Sequence, residues 1–223
     1  NTSGTLAKKF FTLGIPFTAS ILPNGQYTKD VMKILEQYPH VERFVNLPME
    51  PMEYPRINPG IGTILISMSD KEIAQRTIES IEKIPGAVGA SNYMGSKATE
   101  NPRVMYHVLK VLKNSGFIWI DANQSNINAY AEVSSQIGLK PQTVDIQLDS
   151  PKMTPEEIEN KLYNWCLNAR SQPVVIMKGR ASDTLYKILS GNIPILQKYG
   201  INFICLTKGI ERRKHGIERP KDI

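Results

Sequence analysis

The sequence predicts an α/β fold built on a largely parallel sheet, open or closed into a barrel, and three observations carry that reading. Short apolar runs rich in strand-forming residues recur along the chain, helical patterns with start signals lie between most of them, and 223 residues is a length that α/β barrels use for a single core. Hydrophobic residues make up 41% of the chain, enough for a sizeable interior.

Taken in order, the first element is a helix, Thr5 to Leu13, with Leu6, Phe10 and Phe11 on one side, stopped at Gly14. A βα-barrel ordinarily opens with a strand, so one is expected upstream of Asn1; without it a neighbouring strand would carry an exposed edge. Strand-like runs follow at Phe17–Leu22, Arg43–Leu47, Ala87–Ala90, Phe117–Ile120, Val144–Leu148, Val174–Met177 and Asn202–Leu206. Ser69-Asp70-Lys71-Glu72 reads as a capping box, in which the serine side chain and the glutamate carboxylate each take a backbone N–H that the first helical turn leaves unpaired. Ile73, Thr77, Ile81 and Ile84 continue at helical spacing before Pro85-Gly86. Asn101-Pro102 opens a helix carrying Val104, Val108, Val111 and Leu112. Thr154-Pro155-Glu156-Glu157 is a second capping box, followed by Ile158, Leu162, Trp165 and Cys166 along one face. No internal repeat or linker interrupts the pattern, so residues 1–210 read as a single domain and 211–223 as a basic C-terminal tail.

Composition narrows the function classes. No apolar run approaches the length of a membrane span. Lysine and arginine total 27 against 21 acidic residues, a net charge of +6, yet the basic residues are dispersed and no nucleic-acid-binding motif accompanies them; nucleic acid is not an expected partner. Two cysteines make no disulfide framework, and both Cys166 and Cys205 read as small core residues.

The stretch Val45 to Pro51, VNLPMEP, leaves a strand through a proline-bracketed loop, a good place to display side chains; the first displayed is an asparagine, a poor acid, base or metal ligand. Together with ILPNGQYTKD, NPGIGTILISMSDKEI, IPGAVGASNYMGS and FIWIDAN, in this order and spacing, it resembles the divergent polysaccharide deacetylase family from about Phe17 to Leu206. The resemblance implies a distorted seven-stranded βα-barrel of the NodB type, export to the bacterial cell envelope or periplasm, and metal-assisted removal of acetyl groups from a polysaccharide. It also implies an Asp pair ending a first strand, which would lie before Asn1, and histidines where this chain has Asn46 and Tyr93; Lys178 falls where a later histidine is common.

A neutral amide, a phenol and an ammonium cannot replace imidazoles at a transition-metal site. His40, His107 and His215 form no recognised ligand spacing. The expectation is therefore a catalytically degenerate domain without a metal cofactor, binding cell-wall glycan or an envelope protein. The alternative is an active deacetylase of peptidoglycan or another polysaccharide, dependent on zinc or another divalent metal. No catalytic residue is assigned. Candidate ligand-binding residues at strand ends, where βα-barrels build sites, are Asn46, Glu50, Asn92, Tyr93, Asp121, Asp149 and Lys178, with Lys178 expected either to offset Glu50 or Asp121 or to hold an anionic ligand group. Trp119, Met49 and Met94 read as packing residues, and Gly60, Gly62 and Gly95 as turn formers.

Overall fold

A computed structural model describes residues 3–122, 128–168 and 174–215. The described elements run α1 (Gly4–Phe11), β1 (Phe17–Ile21), α2 (Thr28–Leu35), β2 (Val41–Met49), α3 (Asp70–Glu82), β3 (Gly89–Met94), α4 (Pro102–Asn114), β4 (Ile118–Asp121), α5 (Asn128–Ile137), β5 (Gln142–Thr143), β6 (Ile146–Gln147), α6 (Pro155–Asn168), β7 (Met177–Lys178), α7 (Asp183–Lys198) and α8 (Leu206–His215). Five strands make one sheet in the order β1-β2-β3-β4-β5, with β2 to β5 paired in parallel, and β6 and β7 make a second, two-stranded parallel sheet. The expected α/β alternation is present.

The chain divides into two compact units. The first comprises Thr18–Met32 and Glu42–Val144 and contains most of the five-stranded sheet. Its α4 packs between α3 and α5 and buries Val104, Met105, Val108, Leu109 and Leu112 completely, each contributing about 1.5–3 kcal/mol of apolar burial. The two expected start signals hold here. Ser69 Oγ accepts the Glu72 N–H while Glu72 Oε2 accepts the Ser69 N–H, and Asn101 Oδ1 accepts the Val104 N–H at 3.1 Å. Such caps are worth about 1 kcal/mol each.

Among the described residues, the second unit comprises 3–17, 33–41, 145–168 and 174–215. Here α6 packs on α7, and α1 touches α7 through the Lys9–Asp183 ion pair and an edge-to-face contact of Phe10 with Tyr186. Thr154 and Glu157 form the second reciprocal cap.

Three expectations are corrected. The run Val144–Leu148 is not one strand. Its chain leaves the larger sheet after β5 and enters the smaller one at β6, because Asp145 turns its carboxylate to the Ile176 N–H and pairs with Arg213 of α8. The run Asn202–Leu206 forms no strand; Gly200, at a positive φ of 79°, ends α7, and α8 begins at Leu206. Cys205 is accordingly only half-buried, its thiol directed at the carbonyls of Phe17 and His40, whereas Cys166 is buried as expected and burial pushes its thiol up to about 11. Helix α8 runs from Leu206 through His215, and residues 216–223 lie outside the described residues.

Candidate functional site

The proline-bracketed loop begins inside β2, which extends through Leu47 and Pro48 to Met49. Pro48 lacks an N–H to donate, and its carbonyl accepts the Ile64 N–H at 2.8 Å. Beyond it Glu50 is 4% exposed and anchors two other loops. Its N–H donates to the Ile64 carbonyl at 3.0 Å, and its own carbonyl accepts from the Lys97 and Ala98 N–H groups at 3.1 and 3.0 Å. The carboxylate is equally committed. Oε2 accepts the Ile66 N–H at 2.7 Å, and Oε1 holds the Lys97 ammonium at 2.7 Å. The cation that offsets Glu50 at this distance is thus Lys97, immediately after the Met94-Gly95-Ser96 turn, a residue that the strand-end reasoning passed over.

The turns that bring these loops together need glycine. Gly95 sits at φ 90°, where a Cβ would lie 2.8 Å from that of Met49; Gly62 sits at φ 88°, where a Cβ would lie 2.5 Å from Asn24 Nδ2. Met49 is fully buried beneath the loops, and Met94, at φ 57°, is half-buried at the strand's end.

Register sorts the other first-unit candidates. In β3, Ser91 lies opposite Asn46, and Tyr93 lies opposite Pro48, so Asn46, Ser91 and Tyr93 project from one side of the sheet. Asn92 lies on the other side, in line with Asp121, because β4 pairs with Ser91 opposite Ile120. The candidates therefore do not converge as one set.

On the second side a buried network forms. Asn92 and Asp121 are 2% and 0% exposed. Asn92 Nδ2 donates to Asp121 Oδ1 at 3.2 Å and to the Met94 carbonyl at 3.3 Å, while its Oδ1 accepts the Ala122 N–H at 2.7 Å. Tyr130 of α5 donates its hydroxyl to Asp121 Oδ2 at 3.0 Å. Burial, and then the Asp121 carboxylate, push the Tyr130 phenol well above its ordinary value. Trp119 lies fully buried on this side, as expected of a packing residue.

On the first side the groups are more accessible: Ser20 of β1 is exposed, Asn46 and Tyr93 are half-buried, and Ser91 is buried. Ser91 Oγ donates to Asn46 Oδ1 at 3.2 Å, and the Ser20 and Ser91 hydroxyls lie 2.6 Å apart. Among the described residues the Tyr93 phenol makes no hydrogen bond.

Asp149 and Lys178 belong to the second unit. Asp149, 6% exposed, accepts from Gln147 Nε2 at 2.8 Å and from the Arg180 N–H at 2.9 Å, and so ties β6 to the chain after β7. Lys178 lies half-buried in β7 opposite Gln147.

A zinc-like ion asks for imidazole, thiolate or carboxylate donors converging from three or four residues. Among the described residues no three histidine, cysteine, aspartate or glutamate side chains group in that way. Asn46 offers an amide, Tyr93 a phenol, Glu50 both of whose oxygens are occupied, and Asp121 faces the other side of the sheet. These residues do not fit the family's metal. His40 Nε2 is engaged with the Phe11 carbonyl, and His107 lies 3.2 Å from Asp70.

Comparison with known proteins agrees with this architecture. The divergent polysaccharide deacetylase family matches residues 2–209. The uncharacterized protein YibQ of Escherichia coli K12 is 27% identical over 105 residues, which cover 47% of this chain and 32% of YibQ; the match thus spans about a third of that relative. Among solved structures, an uncharacterized protein from Agrobacterium tumefaciens C58 superposes with a TM-score of 0.82 at 22% identity, covering 92% of this chain and 83% of that one. A CE4 family pseudoenzyme from Bacillus anthracis superposes with a TM-score of 0.51 at 9% identity, covering 93% of this chain and 61% of that one. The α/β fold is that of the NodB-like deacetylases.

Proposed function

This chain belongs to the divergent polysaccharide deacetylase family, and from that premise we propose that it is a degenerate member, a domain of the bacterial cell envelope that binds acetylated cell-wall glycan and does not hydrolyse it. The observation that carries the reading is Asn46. At the head of the Leu-Pro-Met-Glu-Pro loop it supplies an amide bonded to a serine, and the loop's Glu50 carboxylate is already paired with Lys97.

Hydrolysing an acetamide near neutral pH needs a polarised carbonyl, an activated water and an acid for the departing amine. A neutral amide can donate to a carbonyl but is no base for the water, and amides and hydroxyls suit the hydroxyl and acetamido groups of a sugar. The fold neighbour from Bacillus anthracis, itself described as a pseudoenzyme, supports the reading that this architecture persists without its catalysis. The envelope location rests on the family. An envelope protein in place of glycan is the other outcome of the test.

The test is calorimetric titration of the purified chain with acetylated chito-oligosaccharide and with soluble peptidoglycan fragments, alongside elemental analysis. The expected result is saturable glycan binding with no stoichiometric zinc, cobalt or nickel. Adding those metals leaves the melting temperature unchanged, whereas a ligand at 100 times its dissociation constant stabilises the native state by about 2.7 kcal/mol. One tightly held metal ion per chain contradicts the proposal.

A further inference from the structure

The side of the sheet that carries Asn46 holds a hydrogen-bond chain whose direction follows from proton counting. Ser91 has a single hydroxyl proton. It is used on Asn46 Oδ1 at 3.2 Å, so the 2.6 Å contact between the serine hydroxyls has Ser20 donating and Ser91 accepting. The chain runs from exposed Ser20 on β1, through buried Ser91 on β3, to half-buried Asn46 on β2, and so crosses from the sheet's first strand to its third. Its end is asymmetric. The Asn46 carbonyl oxygen is turned to Ser91, and the Asn46 amide nitrogen, with two protons, makes no hydrogen bond among the described residues. A histidine metal ligand presents a lone pair at such a position; this side chain presents donors.

We infer that Asn46 is a pre-oriented hydrogen-bond donor for a neutral acceptor oxygen of the glycan, with Ser91 as the residue that fixes its orientation. This rests on the glycan-binding reading above. The ligand chemistry is an uncharged oxygen with an available lone pair, an acetamido carbonyl or a sugar hydroxyl. The carbonyl is the stronger acceptor, and the glycan surface that distinguishes an acetylated from a deacetylated polymer is the one that supplies it. Holding the amide in one orientation lowers the ordering cost on binding, which is how preorganisation raises affinity. Tyr93, two residues beyond Ser91 on the same side, extends the accessible surface with a half-buried ring.

The experiment compares chito-tetraose, fully N-acetylated and fully de-N-acetylated, as titrants against four proteins: the unmodified chain, Asn46→Asp, Ser91→Ala and Ser20→Ala. Asn46→Asp keeps the shape and replaces the donors with an anionic acceptor. The expected result is tighter binding of the acetylated sugar by the unmodified chain, a loss of at least about tenfold in Asn46→Asp, and a smaller loss in Ser91→Ala, where the amide is free to turn over. Ser20→Ala, which removes the donor to Ser91 but leaves the Ser91–Asn46 bond in place, loses less than Ser91→Ala. The Asn46 side-chain amide protons, followed by NMR, give one pair of resonances in the unmodified chain and shift on adding acetylated sugar, a readout that a purely structural role does not move.

If the unmodified chain binds the sugar and Asn46→Asp binds it equally well, Asn46 presents its oxygen or lies off the ligand, and this inference is overturned while glycan binding stands. Preference for the de-N-acetylated sugar overturns the carbonyl assignment and leaves the hydroxyl source. If the unmodified chain binds neither sugar, the glycan reading fails and takes the inference with it. Should Ser91→Ala not fold, Asn46→Asp and the NMR measurement decide alone.

Discussion

Ser91 and Asn92 are neighbours in one strand, and their surroundings differ completely. Ser91 joins a short row of hydroxyl and amide groups that ends in the half-buried, partly uncommitted Asn46. Asn92 joins a closed network in which Asp121, the Met94 carbonyl and the Ala122 N–H satisfy it, while Tyr130 bonds Asp121. Both sides carry polar residues at the ends of strands. The lesson is that polarity at a strand end does not by itself make a site, because the two-residue period sends alternate side chains to opposite faces. On one face they secure α5 to the sheet; on the other Asn46 and Tyr93 stay half-buried and Ser20 exposed.

The sharpest way to break this comparison is to remove Asp121. Asp121→Ala leaves the Tyr130 hydroxyl and one Asn92 donor unpaired in a fully buried setting, and should cost about 3 kcal/mol in urea unfolding. A loss below about 0.5 kcal/mol would mean that the network is not holding the sheet. Next comes Glu50→Ala, which frees the Ile66 N–H and the Lys97 ammonium. Because Lys97 is more than a third exposed and its charge is screened by water, about 2 kcal/mol is expected, and only about 1 kcal/mol for Lys97→Ala.

Tyr130→Phe should cost about 1 kcal/mol at neutral pH and also change the alkaline limb of the stability curve. Burial and Asp121 raise the phenol's folded pKa above its ordinary value of 10.0, so the folded state keeps a proton that the unfolded chain gives up. That stabilisation is fully present below pH 10 and is lost as the pH rises above it. Unfolding measured from pH 9 to 12 should therefore fall more steeply for the unmodified chain than for Tyr130→Phe; parallel curves would contradict the assignment. The smallest stability effect belongs to Asn46→Ala. It removes one hydrogen bond at a half-buried position and should cost less than about 1 kcal/mol while still weakening glycan binding. A loss as large as that of Asp121→Ala would erase the distinction between the two faces.

Much of the fold was legible because its signals are local. The capping boxes at Ser69 and Thr154, the Asn101-Pro102 start and the buried spacing of α4 depend on residues a few positions apart, and all three helices form as read. The failures are long-range. Nothing within Val144–Leu148 announces that Asp145 is claimed by Ile176 and Arg213 from distant segments, splitting the run between two sheets. The two-residue β5 is too short and too polar to stand out.

The site was legible as a set of positions and not as an arrangement. The loops were found from their glycines and prolines, yet Lys97, Ser91, Ser20 and Tyr130, which decide what Glu50, Asn46 and Asp121 can do, act through pairing and register. One signal was available: Ser91 lies two residues before Tyr93 in a strand, which places both on the same side. Asp149, in the second unit, accepts the Arg180 N–H and tethers the chain after β7.

The central claim is that this member of the family has kept the fold and lost the hydrolysis. Acetate release from N-acetylated chito-oligosaccharide, measured with the purified chain in the presence of zinc, cobalt and nickel in turn, tests it most directly. The account predicts release no faster than in the enzyme-free control with each metal. Metal-dependent release that a chelator abolishes would contradict it.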